Sequence, residues 1–156
     1  MLNVALAKGR LADSCADIFI KCGIRAEVLK EEPRKLVLET PDKLFRFFFV
    51  KPADVPTYVE YGIADIGVVG KDTLLEADAD LYEMLDLRFE KCKLCVAGFP
   101  DAKEKLRGGH LRVATKYVNT AKKLFLSRGE DAEIIKLNGS IELAPLTGLA
   151  DVIFDI

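Results

Sequence analysis

Four segments of the 156-residue chain bring glycines, cations and capping side chains together where a strand-like run hands over to a helical one. In Ala7-Lys8-Gly9-Arg10, two cations flank a glycine that lets backbone approach a ligand. The start of a helix suits an anion, because its first N–H groups are unpaired and the dipole is positive there. A solvated first turn with a glycine for the bend would look the same. The second segment, Gly62 to Asp72, reads GIADIGVVGKD and ends in a Gly-Lys pair that invites comparison with a nucleotide P-loop. The spacing fails. Asp65 stands where that motif needs its first glycine, and Asp72 where it needs Ser or Thr. What remains is a strand whose glycines permit close packing or close ligand approach. The third segment is Thr115 to Thr120, TKYVNT, and the fourth is Leu137 to Glu142, LNGSIE. In the fourth, Ser140 can cap the next helix, and Glu142 in its first turn complements the dipole.

Together the cations Lys8, Arg10, Arg34, Lys51, Lys71 and Lys116 suit a polyphosphate. Asp65, Glu142, Asp151 and Asp155 could hold a metal or ribose hydroxyls. Cys15, Cys22, Cys92 and Cys95 read as reduced, buried small hydrophobes. Cys92 and Cys95 form a lone C-x-x-C in an alternating segment, where residues three apart point to opposite faces. A zinc site would need a turn there and a second ligand pair.

These segments need elements to hold them. Asn3 to Leu6 reads as a strand, and Leu11, Cys15, Ile18, Phe19 and Cys22 recur at helical spacing before Gly23 closes the helix. Leu36 to Glu39 and Leu44 to Val50 read as a hairpin parted by Pro41-Asp42. Asp54 can cap a helix carrying Val55, Tyr58 and Val59, with Pro56 tolerated in its first turn. Ala64 to Val69 reads as a strand, Lys71 to Glu76 as a short helix and Leu81 to Leu85 as a strand. A second series follows. Lys93 to Ala97, Leu111 to Thr115, Glu133 to Leu137 and Asp151 to Ile156 read as strands, with helices at Tyr117 to Ser127 and Ser140 to Leu146. Gly129 and Gly148 are placed to end those helices. Alternating strands and helices imply right-handed βαβ units, mostly parallel sheets and ligands beyond the strand C-termini.

Composition narrows the class. There are 23 Lys and Arg against 25 Asp and Glu, a formal net charge of -2, with no block of like charge. A nucleic-acid binder carries a basic excess, so none is expected. The opening MLNVALAKGRL does not read as a signal peptide, and no apolar run approaches the roughly 18 residues of a membrane span. The expectation is a soluble, cytoplasmic protein.

ALAKGRL, PRKLVLET, VKPADVPTYVEYGIADIGVVGKD, LRVATKYVNTA and IKLNGSIELAPLTGLADVIFDI resemble, in order and at compatible spacing, the signature segments of short-form ATP phosphoribosyltransferases. The resemblance covers nearly the whole chain. It implies a two-lobed α/β fold similar to type II periplasmic binding proteins, with mostly parallel sheets and a ligand cleft between the lobes. Residues 1–90 would form the first lobe and 91–156 the second. The family joins ATP to phosphoribosyl pyrophosphate at the first step of histidine biosynthesis: adenine N1 attacks ribose C1 and pyrophosphate leaves as its Mg2+ complex. No nucleophilic side chain is required, and no Ser/His or Cys/His arrangement is read here.

Carried over by position, the resemblance implies catalytic roles for Lys8, Arg34 and Glu142. Lys8, Arg34 and Lys51 would contact phosphates, with Gly9 and Arg10 shaping the same pocket. Lys51 departs from the Arg often found there, offering a point charge in place of a bidentate fork. Asp65, Gly67, Lys116 and Tyr117 would line the nucleotide side, and Glu142 and Asp155 would face ribose or magnesium. A homodimer joined by a regulatory subunit resembling histidyl-tRNA synthetase is implied as well. The family continues past the strand ending near Ile156 into a Gly/Thr-rich phosphate loop and a return to the first lobe, so residues 1–156 alone are expected to be incompetent. The rival class is a ligand-binding module of the same shape without catalysis, which would carry an export signal or a helix-turn-helix segment; neither is read in this sequence.

Overall fold

The computed structural model describes residues 1–31, 35–102, 104 and 110–156. The chain divides into two compact units, Met1–Glu90 and Lys91–Ile156.

The first unit is built on a four-stranded sheet ordered β2-β3-β1-β4. Strand β1 (Leu2–Ala7) is central because it is apolar on both faces; Val4, Ala5 and Leu6 are all buried. Helix α1 (Arg10–Lys21) buries Ala12, Cys15 and Ala16 and ends at Gly23, whose φ of 82° lets the chain reverse. After the short helix α2 (Val28–Glu31), β2 (Val37–Glu39) and β3 (Phe45–Val50) form the expected antiparallel hairpin. Asp42 holds its turn by accepting from the Thr40 hydroxyl and the Leu44 N–H. Strand β3 runs parallel to β1, placing Phe47 at the centre of a core that includes Leu6, Leu29 and Phe49.

A 3-10 turn, Pro52–Asp54, leads into α3 (Val55–Glu60), which returns the chain to β4 (Ile66–Val68), parallel to β1 on its other side. Asp54 occupies the position before α3, but its side chain makes no capping hydrogen bond. Helix α4 (Lys71–Ala77) follows β4. The strand expected over Leu81 to Leu85 does not form; Tyr82 is 94% and Met84 88% exposed. Alternation of apolar residues makes a strand only where a neighbouring strand satisfies its backbone, and none of the described strands pairs with this segment.

The second unit carries a sheet ordered β5-β8-β6-β7. Strands β6 (Leu111–Thr115), β7 (Ala132–Lys136) and β8 (Val152–Asp155) are parallel, while edge strand β5 (Cys95–Gly98) runs antiparallel to β8. Helix α5 (Val118–Ser127) covers one face, burying Ala121 and Phe125 over Val113, Val152 and Phe154. On the other face Ala114, Ile141, Ala144 and Ala150 form a smaller core. The helix expected from Ser140 is only the four residues of α6 (Leu143–Leu146). Ser140 has a φ of 50°, a left-handed conformation that cannot open a helix as its N-cap.

Of the cysteines only Cys15 is buried, and burial pushes its thiol up to about 11. Cys22, Cys92 and Cys95 are exposed, contrary to the sequence reading. Cys22 caps the end of α1, Cys92 precedes β5, and Cys95 opens an edge strand, so none of the three faces a core.

Candidate functional site

In parallel sheets every strand leaves the same edge, and ligands gather there. In the first unit Ala7 pairs with Val50 and Leu6 with Val68. Carrying that register onward sets Lys8 level with Lys51 and with Gly70. Lys8, Gly9, Arg10 and Lys51 are exposed at this edge, with Lys71 opening α4 beside it. Gly9 has φ 101° and ψ -155°, a conformation that is essentially glycine's alone, and open space lies where a Cβ would stand. Its need for glycine is therefore conformational. Arg10 is within 4.0 Å of Glu90, and Lys71 is ion-paired with Glu83. Arg34 lies outside the described residues.

Two residues assigned to the nucleotide side have other surroundings. Asp65 precedes β4, level with Asn3, at the opposite end of the sheet from Lys8. Its carboxylate accepts the Asn3 N–H at 2.7 Å while its own N–H donates to the Asn3 carbonyl at 2.8 Å. Asp65 thus pins the start of β4 to β1. A Cβ on Gly67 would meet Val55 Cγ1 at 2.8 Å and Val59 Cγ2 at 2.9 Å, so this glycine lets α3 lie close on the sheet. Strand direction, which spacing alone does not reveal, decides at which end of the sheet Asp65 emerges.

In the second unit β6 and β8 run in register, Val113 with Val152 and Ala114 with Ile153. The next steps bring Thr115 to Phe154 and Lys116 to Asp155. Lys116 Nζ is 3.9 Å from Asp155 Oδ1, beyond hydrogen-bond reach. Asp155 Oδ1 is buried and, among the described residues, has no hydrogen-bond partner, an acceptor with a charge nearby but no donor upon it. Lys116 Nζ also lies 4.6 Å over the Tyr117 ring, a cation–π arrangement. Tyr117 itself is 2% exposed and stands edge-on to Phe154 in the core, with ring centroids 6.5 Å apart. Its ring supports Lys116 from below and does not project to solvent, a departure from the role expected of it. Glu142 is exposed just before α6 and makes no capping hydrogen bond.

Thr115 opens the third segment, but the sequence assigned it no role of its own. It is wholly buried, and its Oγ1 donates to the Phe154 carbonyl at 2.6 Å and accepts the Tyr117 N–H at 2.8 Å. A hydroxyl residue ending the apolar Val113-Ala114 run, just before a cation, is the signal that could have found it. Asp151, also a candidate for metal or ribose, is held by Arg112. Among the described residues no three His, Cys, Asp or Glu side chains converge to hold a metal ion.

Cationic and glycine-bearing exits from parallel strands define, in both units, an α/β protein suited to anionic ligands. Comparison with known proteins carries this to a family. Residues 51–156 match the family HisG: ATP phosphoribosyltransferase. The chain is 55% identical over 156 residues to an ATP phosphoribosyltransferase of Brachyspira hyodysenteriae, covering 100% of this chain and 75% of the relative. It is 53% identical over 155 residues to one from a Thermoanaerobacter species, covering 99% and 72%. A solved structure, the ATP phosphoribosyl transferase (HisG:HisZ) complex from Thermotoga maritima, superposes with a TM-score of 0.74 at 35% identity, covering 99% of this chain and 73% of that one.

The chain belongs to the ATP phosphoribosyltransferase family, the enzymes of the first step of histidine biosynthesis. They transfer the phosphoribosyl group of phosphoribosyl pyrophosphate to N1 of ATP and release pyrophosphate, a reaction for which the family needs a metal ion.

Proposed function

We propose that Lys8, Gly9, Arg10 and Lys51, joined by Arg34, hold phosphate groups at the edge of the first sheet. Lys116 and Asp155 hold the nucleotide and ribose side, with Glu142 toward ribose or magnesium. The observation carrying this reading is the unfilled acceptor Asp155 Oδ1 beside Lys116, at a strand end level with the turn into α5. A buried carboxylate oxygen without a donor is costly unless a ligand supplies one. A ribose hydroxyl is such a donor.

The displacement at C1 passes through a transition state with oxocarbenium character, charge accumulating on the departing pyrophosphate. Cations at fixed strand ends stabilise that charge without reorganising, and in-line placement of C1 and N1 supplies most of the remaining acceleration. The metal is Mg2+ and enters as the substrate's pyrophosphate complex. This accords with the lack of a three-ligand cluster among the described residues, since Mg2+ commonly takes few protein ligands and several phosphate oxygens.

The working enzyme is a homodimer joined by a regulatory subunit resembling histidyl-tRNA synthetase, a reading supported by the Thermotoga neighbour being a HisG:HisZ complex. It acts in the cytoplasm; no helix among the described residues is long and apolar enough to cross a membrane. Calorimetric titration of magnesium pyrophosphate into the full-length protein tests the phosphate edge. Lys8→Gln is expected to weaken binding at least about tenfold, some 1.4 kcal/mol. Equal affinity in parent and variant would remove Lys8 from the site.

A further inference from the structure

Thr115 fastens the ends of three strands at one point. Its carbonyl accepts the Leu137 N–H at 2.9 Å, immediately after β7. Its hydroxyl donates to the Phe154 carbonyl at 2.6 Å, near the end of β8. The same oxygen accepts the Tyr117 N–H at 2.8 Å, at the start of α5. The residues that follow or lie between these anchors are Asn138, Asp155 and Lys116, all at the strand-end edge. Nothing in the hydroxyl reaches solvent, because Thr115 is 0% exposed.

We infer that Thr115 is a positioning residue of the phosphoribosyl transfer, fixing Lys116 and Asp155 relative to each other through its bonds to Tyr117 and Phe154. The inference rests on the reading of Lys116 and Asp155 as substrate contacts. The physical case is geometric. Lys116 Nζ and Asp155 Oδ1 are held at 3.9 Å without a direct hydrogen bond, so the gap between them is maintained by the backbone beneath. On the β6 side that backbone is the Thr115–Tyr117 turn, and on the β8 side it is the Phe154–Asp155 peptide. The Thr115 hydroxyl is the side-chain link between the two. Displacement of either substrate contact by about 1 Å is enough to lower turnover by orders of magnitude. Valine has the same branched outline but neither donates nor accepts, so it would break the hydroxyl's bonds to the Phe154 carbonyl and the Tyr117 N–H together. Serine keeps both bonds.

The test is a mutant cycle on the full-length protein, assayed with its regulatory subunit at a temperature well below the unfolding midpoint. Thr115→Val is expected to lower kcat at least tenfold, Thr115→Ser to stay near the parent, and Thr115→Cys to fall between. Because Thr115 acts through its neighbours, adding Thr115→Val to Lys116→Met should cost much less than it does in the parent. Full additivity, or parental kinetics in Thr115→Val with Lys116→Met impaired, overturns the inference and leaves the site reading standing. Parental kinetics in both Lys116→Met and Asp155→Asn overturns the site reading and this inference with it. Should Thr115→Val fail to fold, the Ser and Cys variants carry the same comparison: equal kinetics in Thr115→Cys and Thr115→Ser would overturn it.

Discussion

Arg112 grips Asp151 from three directions: its backbone N–H reaches Oδ2 at 3.0 Å, its Nε the same oxygen at 3.2 Å, and its Nη2 reaches Oδ1 at 3.1 Å. The Asp151 side chain is only 6% exposed. Hydrogen bonding to Asp151 is the main reason the Arg112 guanidinium is held above its usual value, with the charge of Asp151 second. The clamp joins β6 to the residue just before β8, at the other end of the strands from Lys116 and Asp155. Asp151→Asn should therefore lower the thermal midpoint by several degrees while leaving turnover unchanged at low temperature. Lost turnover with an unmoved midpoint would return Asp151 to the substrate site.

Gly67 makes a second stability prediction in the other unit. Gly67→Ala forces a Cβ against Val55 and Val59, and Val55 is 1% exposed. Overpacking of this kind costs about 1–3 kcal/mol. Chemical denaturation would show the loss as a lower midpoint at unchanged slope. A midpoint equal to the parent's would mean that α3 shifts freely on the sheet.

His110 should make stability depend on pH. Its Nε2 lies 3.2 Å from Glu133 and its Nδ1 3.4 Å from Asp131, so both ring nitrogens face carboxylates and the doubly protonated ring satisfies both. Hydrogen bonding to Glu133, then to Asp131, raises its pKa above the ordinary 6.5. A raised folded-state value stabilises the fold fully below the unfolded pKa, and the contribution is lost as pH rises through the folded one. The thermal midpoint of the parent should fall from about pH 6 to about pH 8 by more than that of His110→Gln. Parallel curves would show that these exposed contacts carry no net stabilisation.

Much of the scaffold was legible because its signals are local. The apolar run of β1, the 3.6-residue spacing of α1, the Pro-Asp turn between β2 and β3, and the glycines after α1 and α5 each specify their own conformation. Positions decided by tertiary context were not legible. The resemblance places Asp65 on the nucleotide side, but sequence does not show which sheet edge it faces, and its carboxylate accepts the Asn3 N–H. The family resemblance places Tyr117 beside Lys116 on the nucleotide side, but it does not show which way each side chain points; Lys116 is exposed and Tyr117 is buried in the core. Leu81 to Leu85 carries strand periodicity without a strand beside it.

The account turns on cations held at strand ends, and the most direct measurement is steady-state formation of phosphoribosyl-ATP by the full-length protein with Mg2+, followed by ultraviolet absorbance. The parent should form the adduct with release of pyrophosphate. Lys8→Met and Lys116→Met should each lower kcat/KM at least about tenfold, roughly 1.4 kcal/mol of transition-state stabilisation, with unfolding midpoints unmoved. Parental kcat/KM in both variants would contradict the account and leave these lysines as solvated surface charges.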